Sequence, residues 1–376
     1  MKTLDHLIVG GGIAGLATAY QLGRQGSGRT LLLERGELGN EASAQNAAIL
    51  RGFSADATLR ELARRSARFL RNPPAGFGPS LVEQNGLILL GDRSRAERWR
   101  AILESGPDRE ELRAEGVREI PKGEFERLAP HVVSSYEMAL YCPRDGRIAI
   151  RRLVDALARS AEKAGVELRT AAVVEKLLLE GKRVVGCRLA DGTKVHAEEV
   201  VIAAGAWAGS LGRGAGSHVE LRPTRRHLGL TTPLDLAPTR PVIWSEAESF
   251  YHRPERGGAL LCVCDEDEVD PDRMQVLEGI GDTLLAVARR ELKGFEKSRL
   301  TELWCGMRTT TANGCFCVGP DPDRQGLFWV AGLGGHGMSC GIEVGRLAAN
   351  MLTGRDDEPE LTKAIAPTGR SPLRSR

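Results

Sequence analysis

Short apolar runs alternate with amphipathic segments at the beginning of the chain, and this pattern predicts a strand–helix–strand unit. Residues 4–9 (LDHLIV) predict a buried strand, residues 13–25 a helix with its apolar side chains on one face, and residues 30–35 (TLLLER) a second buried strand. Gly26 and Gly28 are placed to end the helix. The unit has the length of about thirty residues that is typical of two parallel strands joined by a helix.

Charged helices and short strands follow. Residues 56–71 predict an arginine-rich amphipathic helix that ends at NPPAGF, and residues 86–92 (GLILLGD) predict a strand. Residues 93–128 are charged and predicted to be helical, with an interruption at Pro121. Residues 145–168 predict a turn, a long helix and a strand.

The second half of the chain is richer in β-pattern. Turn signals at 180–182 and 191–192 separate three strands, and the last of them runs into the apolar segment EEVVIAAGAW. Further strands are predicted within 221–317 around one charged helix at about 281–293. The segment FWVAGLGGHG then repeats the strand–glycine turn–helix order, with its helix at 338–353.

Composition narrows the class of protein. A length of 376 residues predicts two domains or one discontinuous pair, and a net charge of +2 provides no electrostatic reason to expect nucleic acid or an anionic membrane surface as a partner. No apolar segment has the length of a membrane span. The eight cysteines include no C-x-x-C pair, so we expect small buried residues in a reducing cytoplasm and no metal site.

The glycines of the first turn indicate a nucleotide site. Gly10, Gly12 and Gly15 follow the pattern G-x-G-x-x-G between a predicted strand and a helix. In that setting the first glycine permits the turn, the second lets the backbone approach a pyrophosphate, and the third lets helix and strand pack closely. Glu34, at the end of the next strand, is placed to bind ribose hydroxyls. The pattern predicts a dinucleotide, either FAD or NAD.

Two later segments favour FAD. Ala204 and Gly205, after the β-meander, would let the chain pass close to a cofactor. Four glycines then precede the last predicted helix, at positions 332, 334, 335 and 337. The N-terminus of this second helix would stabilise negative charge on a reduced flavin ring. One long cofactor would therefore contact both glycine-rich turns.

Several stretches together resemble the D-amino acid oxidase-like (DAO) superfamily of FAD oxidoreductases: ARFLRNPPAGF, AAGAWA, TRRHLGL, ESFYHRP, WCGMRT and GLFWVAGLGGHG. The resemblance covers most of residues 4–353. Within the superfamily the chain is similar to bacterial D-arginine dehydrogenases and to the glycine and sarcosine oxidases.

The resemblance implies an α/β fold: a Rossmann-like FAD/NAD(P)-binding domain and a discontinuous substrate domain built on a mostly antiparallel sheet. The expected FAD-binding domain comprises residues 1–85, 145–220 and 305–365. The substrate domain comprises 86–144 and 221–304, and 366–376 are expected to form a frayed tail.

The FAD is expected to be noncovalent, because Cys305 is out of register with the cysteine that binds flavin in some relatives, and Met307 lies nearer to that place. The residues expected to bind FAD are Gly10, Gly12, Ile13, Ala14, Gly15, Glu34, Arg35, Ser43, Asn46, Ala47, Ala48, Val173, Val174, Ala204, Gly205, Trp207, Arg308, Gly334, Gly335, His336, Gly337 and Met338. At His336 the backbone is expected to matter more than the ring.

The resemblance also implies the reaction, in which a small substrate with a carboxylate is oxidised at its C–N bond. Arg308, in the strand before the last glycine turn, would bind that carboxylate through its guanidinium fork. Tyr251 would donate its hydroxyl to the same group, and either Arg225 or Arg226 would face the site; Arg226 is the catalytic candidate. Hydride transfer from the α carbon to flavin N5 would produce an imino acid, which hydrolyses to a 2-oxo acid.

The chain departs from relatives at three places. Ile49 stands where many relatives have a histidine, Phe53 where an aromatic hydroxyl is common, and Asn85 and Gly86 where an acidic residue would bind a guanidinium side chain. Arginine is therefore disfavoured as a substrate, and a more apolar pocket is expected where Ile49 and Phe53 both line it.

Two alternatives stay open at this stage. The first is a 2-hydroxyacid oxidase or dehydrogenase, which needs a base for the hydroxyl proton. His227 and His252 are the candidates, because they directly follow the predicted site residues Arg226 and Tyr251 in sequence. The second is a nucleotide-binding protein without catalysis. The electron acceptor, oxygen or a quinone or another acceptor, is also open.

Overall fold

The structure is a computed structural model and describes residues 3–133 and 135–367. Most of the predicted frayed tail, residues 368–376, lies outside the described residues. The strands are β1 (Leu4–Val9), β2 (Thr30–Leu33), β3 (Ile49–Leu50), β4 (Val82–Glu83), β5 (Leu87–Gly91), β6 (Arg118–Ile120), β7 (Met138–Cys142), β8 (Gly146–Ile148), β9 (Glu167–Arg169), β10 (Val174–Glu180), β11 (Arg183–Leu189), β12 (Lys194–Ile202), β13 (Leu221–Thr231), β14 (Val242–Ser245), β15 (Phe250–Glu255), β16 (Gly258–Cys262), β17 (Leu300–Thr311), β18 (Cys317–Pro320) and β19 (Leu327–Ala331). The helices are α1 (Ile13–Gln25), α2 (Ala57–Arg71), α3 (Arg93–Ser105), α4 (Arg109–Ala114), α5 (Lys122–Leu128), α6 (Ile150–Lys163), α7 (Ala208–Gly214), α8 (Ile280–Glu291), α9 (Gly337–Leu352) and α10 (Pro359–Ala364).

The first sheet has a parallel core of five strands, in the order β19, β12, β1, β2 and β9. Both faces of this core are covered, which explains why its strands read as continuous apolar runs in the sequence. The meander β10–β11 pairs with the first half of β12, and β18 adds an antiparallel strand beside β19. The predicted Rossmann-like architecture is confirmed.

Helices α1 and α9 cross in close contact on one face of this sheet. A Cβ on Gly345 of α9 would lie 2.5 Å from the carbonyl carbon of Ala17 in α1, so the crossing requires glycine at that position. Both helices begin at a glycine-rich turn. The crossing therefore brings together two turns that are more than three hundred residues apart in sequence.

The second sheet has the order β17, β13, β16, β15, β14, β5, β7 and β6. Only the β14–β5 pair is parallel, so this sheet is mostly antiparallel, as predicted. The predicted domain limits stay a prediction; the limit between residues 304 and 305 falls inside β17, which pairs along nearly its whole length with β13. A small third sheet consists of β3, β8 and β4. These strands lie in the segments where the chain passes from one large sheet to the other.

The structure differs from the predicted elements at a few points. The second strand ends at Leu33 rather than within residues 34–35, and the charged segment 93–128 contains β6 among its helices. β6 forms because it pairs with β7 at the edge of the second sheet, a long-range contact that local helical pattern does not contain. No helix of the described residues combines the length and apolar character needed to cross a membrane.

Candidate active site

The first glycine turn joins β1 to α1 and is tightly packed. A Cβ on Gly15 would lie 1.9 Å from the carbonyl oxygen of Gly10, and a Cβ on Gly10 would lie 2.5 Å from the carbonyl oxygen of Ala203. Gly15 is therefore required for packing of the helix on the strand. At Gly12, which precedes α1, the nearest atom to a Cβ is the Ser43 hydroxyl oxygen at 3.2 Å.

Glu34 lies beside this turn, at the end of β2. Its two carboxylate oxygens accept hydrogen bonds from the backbone N–H groups of Gly11 (2.7 Å) and Gly36 (2.8 Å). These bonds fix the orientation of the carboxylate, and each oxygen keeps a further lone pair. Arg35, the next residue, stacks its guanidinium on the ring of Trp207 at 3.6 Å.

The second glycine turn joins β19 to α9. Gly332, Gly334 and Gly335 have φ values of +70°, +51° and +89°, a backbone region that favours glycine. A Cβ on Gly335 would lie 3.1 Å from the Arg308 side chain. His336 precedes α9, and its side chain makes no capping hydrogen bond, so the first N–H groups of α9 remain available to a ligand.

A cavity of about 410 Å³ extends between the two turns, and most of the predicted FAD-binding residues line it. These are Gly10, Gly12, Ile13, Ala14, Glu34, Arg35, Ser43, Asn46, Val173, Val174, Ala204, Gly205, Trp207, Arg308, Gly334, Gly335, Gly337 and Met338. Four predicted residues do not line it: Gly15 has the packing role described above, Ala47 and His336 line a second cavity, and Ala48 lines neither. The residues fit FAD: the N-terminus of α1 for the pyrophosphate, with the Ile13 N–H already donating to the Ser43 hydroxyl at 2.9 Å, an oriented carboxylate for ribose, and the N-terminus of α9 beside the second turn.

The second cavity has a volume of about 330 Å³ and adjoins the first. Residues that line both are Asn46, Arg308, Gly334, Gly335 and Met338. The rest of the second cavity is lined by Ala47, Ile49, Arg51, Arg95, Arg226, Trp244, Glu246, Ser249, Tyr251, Cys264, Glu266, His336 and Ser339. Arg308 therefore lies at the junction between the cavity that fits FAD and the cavity that could hold a substrate.

Arg308 is buried, yet it has no carboxylate within ion-pair distance among the described residues. Its guanidinium donates one hydrogen bond, to the carbonyl oxygen of Met307 at 2.9 Å. Burial and the nearby Arg226 charge lower the pKa of Arg308, although Tyr251 acts in the opposite direction. A buried cation of this kind is strongly stabilised by an anionic ligand.

Tyr251 and Arg226 complete this part of the wall. Burial raises the pKa of Tyr251 well above its usual value, so its hydroxyl keeps its proton and can donate it in a hydrogen bond. Arg226 donates to Glu266 at 2.5 Å and to the carbonyl oxygen of Asp265 at 3.1 Å. Arg225 lines neither cavity, so Arg226 is the member of the pair that faces the site.

The more apolar pocket is expected only if both Ile49 and Phe53 line it, and this condition is not met. Ile49 lines the second cavity as expected, but Phe53 does not; it packs edge-on against Trp99. Four arginines and two glutamates line the cavity instead. Sequence reasoning missed Arg51, Arg95, Glu246 and Glu266 because they come from separate segments; the nearest signal was the position of Glu246 just before the ESFY stretch.

The histidines are placed differently from the expectation. His227 is buried against Asp265 (2.6 Å) and His252 against His131 (2.8 Å), and neither lines a cavity. His336 does line the second cavity. Burial, with the charges of Arg51, Arg226 and Arg308, lowers the pKa of His336 to about 4, so the ring is neutral at pH 7.

Comparison with known proteins agrees with this geometry. The family described as FAD dependent oxidoreductase (DAO) matches residues 5–351. The glycine oxidase of Pseudomonas aeruginosa is 28% identical over 381 residues, which cover 97% of this chain and 98% of that protein. The glycine oxidase of Geobacillus kaustophilus is 28% identical, covering 93% of this chain and 92% of that protein.

Solved structures extend the likeness to the fold. The crystal structure of the Geobacillus kaustophilus glycine oxidase superposes with a TM-score of 0.82 and 26% identity, covering 99% of this chain and 100% of that one. The L-proline dehydrogenase of P. horikoshii has a TM-score of 0.86 at 18% identity, covering 97% of both chains, which shows the fold alone. Since the family match spans nearly the whole chain and the long cavity fits the cofactor at both glycine turns, the chain belongs to the DAO family of FAD-dependent oxidoreductases.

Proposed function

We propose that this FAD-dependent oxidoreductase oxidises the C–N bond of an amino acid, of the D-amino acid, glycine or N-methyl amino acid type. The observation that carries the proposal is the buried Arg308 guanidinium, which has no carboxylate partner among the described residues and lies where the two cavities adjoin. Relatives over most of the chain that are named glycine oxidases support the same reaction class.

The substrate is held by its carboxylate. The planar fork of Arg308 binds the two carboxylate oxygens, and the protonated Tyr251 hydroxyl donates to the same group. A Cβ at position 335 would lie 3.1 Å from the Arg308 side chain. Glycine at this position therefore leaves the approach of the carboxylate to Arg308 open. FAD, when bound, supplies the oxidant that accepts hydride from the α carbon.

Catalysis by positioning needs no strong base in the protein. His336 is the histidine that lines the substrate cavity among the described residues, but a pKa of about 4 makes its ring a weak base at neutral pH. The substrate amine therefore loses its proton to water, and the neutral ring can accept a hydrogen bond from the amine. The burial of His227 and His252 away from the cavity disfavours the 2-hydroxyacid alternative.

The FAD is proposed to be noncovalent. Met307 lines the long cavity and Cys305 does not, so no thiol of this strand is placed beside the cofactor. Denaturation should release the yellow colour from the protein, whereas a covalent flavin would stay with the chain.

The test is the visible spectrum of the purified protein under anaerobic conditions, before and after addition of D-amino acids, glycine and sarcosine. Loss of the flavin absorbance is the expected result, and separate addition of each compound identifies the substrate. A flavin spectrum that none of these compounds changes, while 2-hydroxyacids bleach it, would contradict the proposal.

A further inference from the structure

The second cavity carries more positive charge than one substrate carboxylate requires. Its lining includes the four arginines 51, 95, 226 and 308 and the two glutamates 246 and 266, an excess of two positive charges. The described ion pairs distribute them unevenly. Arg226 pairs with Glu266, Glu246 accepts from both Arg51 and Arg95, and Arg308 pairs with none.

One excess charge is on Arg308 and the other is on the Arg51 cluster, by which we mean Arg51, Arg95 and Glu246. Arg95 also pairs with Asp92, which is 45% exposed and does not line the cavity, so this carboxylate balances charge on the outer side of the wall and not on its inner face. Within the cavity the cluster is therefore cationic.

Arg51 is the member of the cluster that is built into the wall. Its side chain is 14% exposed, and its guanidinium lies over the Trp244 ring at 4.7 Å. Nε donates to the carbonyl oxygen of Phe53 at 3.1 Å, and another nitrogen donates to Glu246, which leaves Nη1 without a hydrogen bond to the described residues. A guanidinium held this rigidly, with donors to spare, suits a second anionic group.

The two cationic sites line the same cavity beside the start of α9. Gly335 contacts Arg308, and the Ser339 hydroxyl accepts from the backbone N–H of Arg51 at 3.0 Å. The uncapped N-terminus of α9 adds its own positive end to this wall, because His336, Met338 and Ser339 also line the cavity.

We infer that the second cavity binds an amino acid with two anionic groups, with Arg308 holding the main carboxylate and Arg51 the side-chain carboxylate. The inference rests on the proposed function for the role of Arg308. Acidic amino acids of the size of aspartate or glutamate fit the charge. A cationic side chain is disfavoured, because both glutamates of the wall are already paired with arginines.

The first test uses substrates that differ only in charge. The FAD-loaded full-length protein is mixed anaerobically with each enantiomer of glutamate and of glutamine, and of aspartate and asparagine, and the rate of flavin bleaching is measured against concentration. The acids are expected to bleach the flavin with at least tenfold higher efficiency than the matching amides. Equal efficiencies, or a preference for the amides or for glycine, would overturn the inference and leave the proposed function intact.

Two variants of the Arg51 cluster are expected to change the preference for the acid in opposite directions. Arg51→Gln is expected to lower the ratio of the efficiency with the acid to that with the amide roughly 10- to 100-fold, as for loss of a charged hydrogen bond. Glu246→Gln removes a negative charge and is expected to increase the preference for the acid. Arg113→Gln, at a side chain 71% exposed on α4, is the matched control and should change nothing. An unchanged acid-to-amide ratio in both cavity variants would contradict the inference.

A binding measurement separates this inference from the proposed reaction. Succinate and propionate are titrated into the FAD-loaded protein while the flavin spectrum is followed. Tighter binding of succinate, lost in Arg51→Gln, supports the two-anion site even if no amino acid bleaches the flavin, in which case only the proposed reaction fails. No preference for succinate, together with no bleaching, rejects both.

Discussion

At the residue scale, the chemistry depends on which side chains face the cavities. Arg225 and Arg226 are neighbours on β13, and their side chains point to opposite faces of the sheet because successive residues of a strand alternate. Arg226 lines the second cavity, whereas Arg225 pairs with Asp267 and lines neither cavity. Arg225 is therefore a matched control for substitutions of arginines that line the cavity.

Arg308→Met should remove the carboxylate anchor. We expect kcat/KM to fall roughly 100-fold or more, because a charged two-point contact in a buried site is lost while the cofactor cavity keeps its other residues. Arg225→Met removes the same charge outside the cavities and should change kcat/KM less than threefold. Equal effects of the two substitutions on steady-state kinetics would show that Arg308 does not bind the substrate.

A second prediction concerns Asp145 and the pH dependence of the stability of the protein. Burial raises the pKa of this carboxyl group to about 7, although the backbone N–H of Gly52 donates to it at 2.8 Å and opposes the shift. A folded-state pKa above the ordinary 3.8 means that the native protein prefers the protonated form. The associated stability is fully present below pH 3.8 and is lost as pH rises to about 7.

Asp145→Asn should therefore stabilise the protein at pH 8 by a few kcal/mol, at roughly 1.4 kcal/mol per unit of pKa shift, and hardly at all at pH 4. Asparagine can still accept the Gly52 hydrogen bond through its carbonyl oxygen. Urea unfolding at the two pH values measures the difference, with the exposed Asp235→Asn as control. A variant that is less stable than the parent at pH 8 would show that the carboxylate is charged and stabilising where it lies.

At the scale of elements, the crossing of α1 and α9 places the two glycine turns on one cofactor cavity. The apolar and small residues of both helices were visible in sequence as two separate helical patterns. Their contact was not visible, because it depends on the absence of a side chain at Gly345 opposite Ala17.

Gly345→Ala should push these helices apart. The new Cβ would lie 2.5 Å from the backbone of Ala17, and overpacking of this kind costs roughly 1–3 kcal/mol, more than the gain in helix propensity. Gly281→Ala in α8 is the control, since its Cβ would meet only leucine side-chain ends at 3.3 Å or beyond. Denaturant unfolding should find the first variant less stable and the second equal to the parent or slightly more stable; the reverse order would contradict the close crossing.

At the scale of the whole molecule, bound FAD should stabilise the folded state by contacting distant parts of the chain at once. Both Glu34 and the turn at 332–337 line the long cavity, although they are about three hundred residues apart in sequence. A ligand that spans both stabilises the folded state by mass action, by about 2.7 kcal/mol at a concentration of 100 Kd.

FAD should therefore raise the melting temperature of the flavin-free protein more than the same concentration of FMN. FMN lacks the adenosine half and leaves the Glu34 end of the cavity empty, so it gains fewer contacts. Differential scanning fluorimetry measures both shifts, and Glu34→Gln should reduce the shift with FAD while leaving that with FMN nearly unchanged. Equal shifts for the two flavins would argue against a cofactor that contacts both turns.

The sequence by itself determined the cofactor half of this protein. A strand, a G-x-G-x-x-G turn and a helix are contiguous, and their meaning depends on local backbone requirements, so Gly10, Gly12 and Glu34 could be assigned before any tertiary contact was known. The same holds for the turn at 332–337, where the backbone needs positive φ values that glycine adopts readily.

Only the tertiary structure decided which side chains line the second cavity. The charged residues of the second cavity come from separate segments of the chain. Their convergence depends on strand register in the second sheet and on the hydrogen bond from the Arg51 backbone to Ser339 of α9. Side-chain direction alternates with every residue of a strand, so a local pattern cannot tell which charge faces inward. For that physical reason the sequence predicted an apolar pocket, and the folded chain has a cationic one.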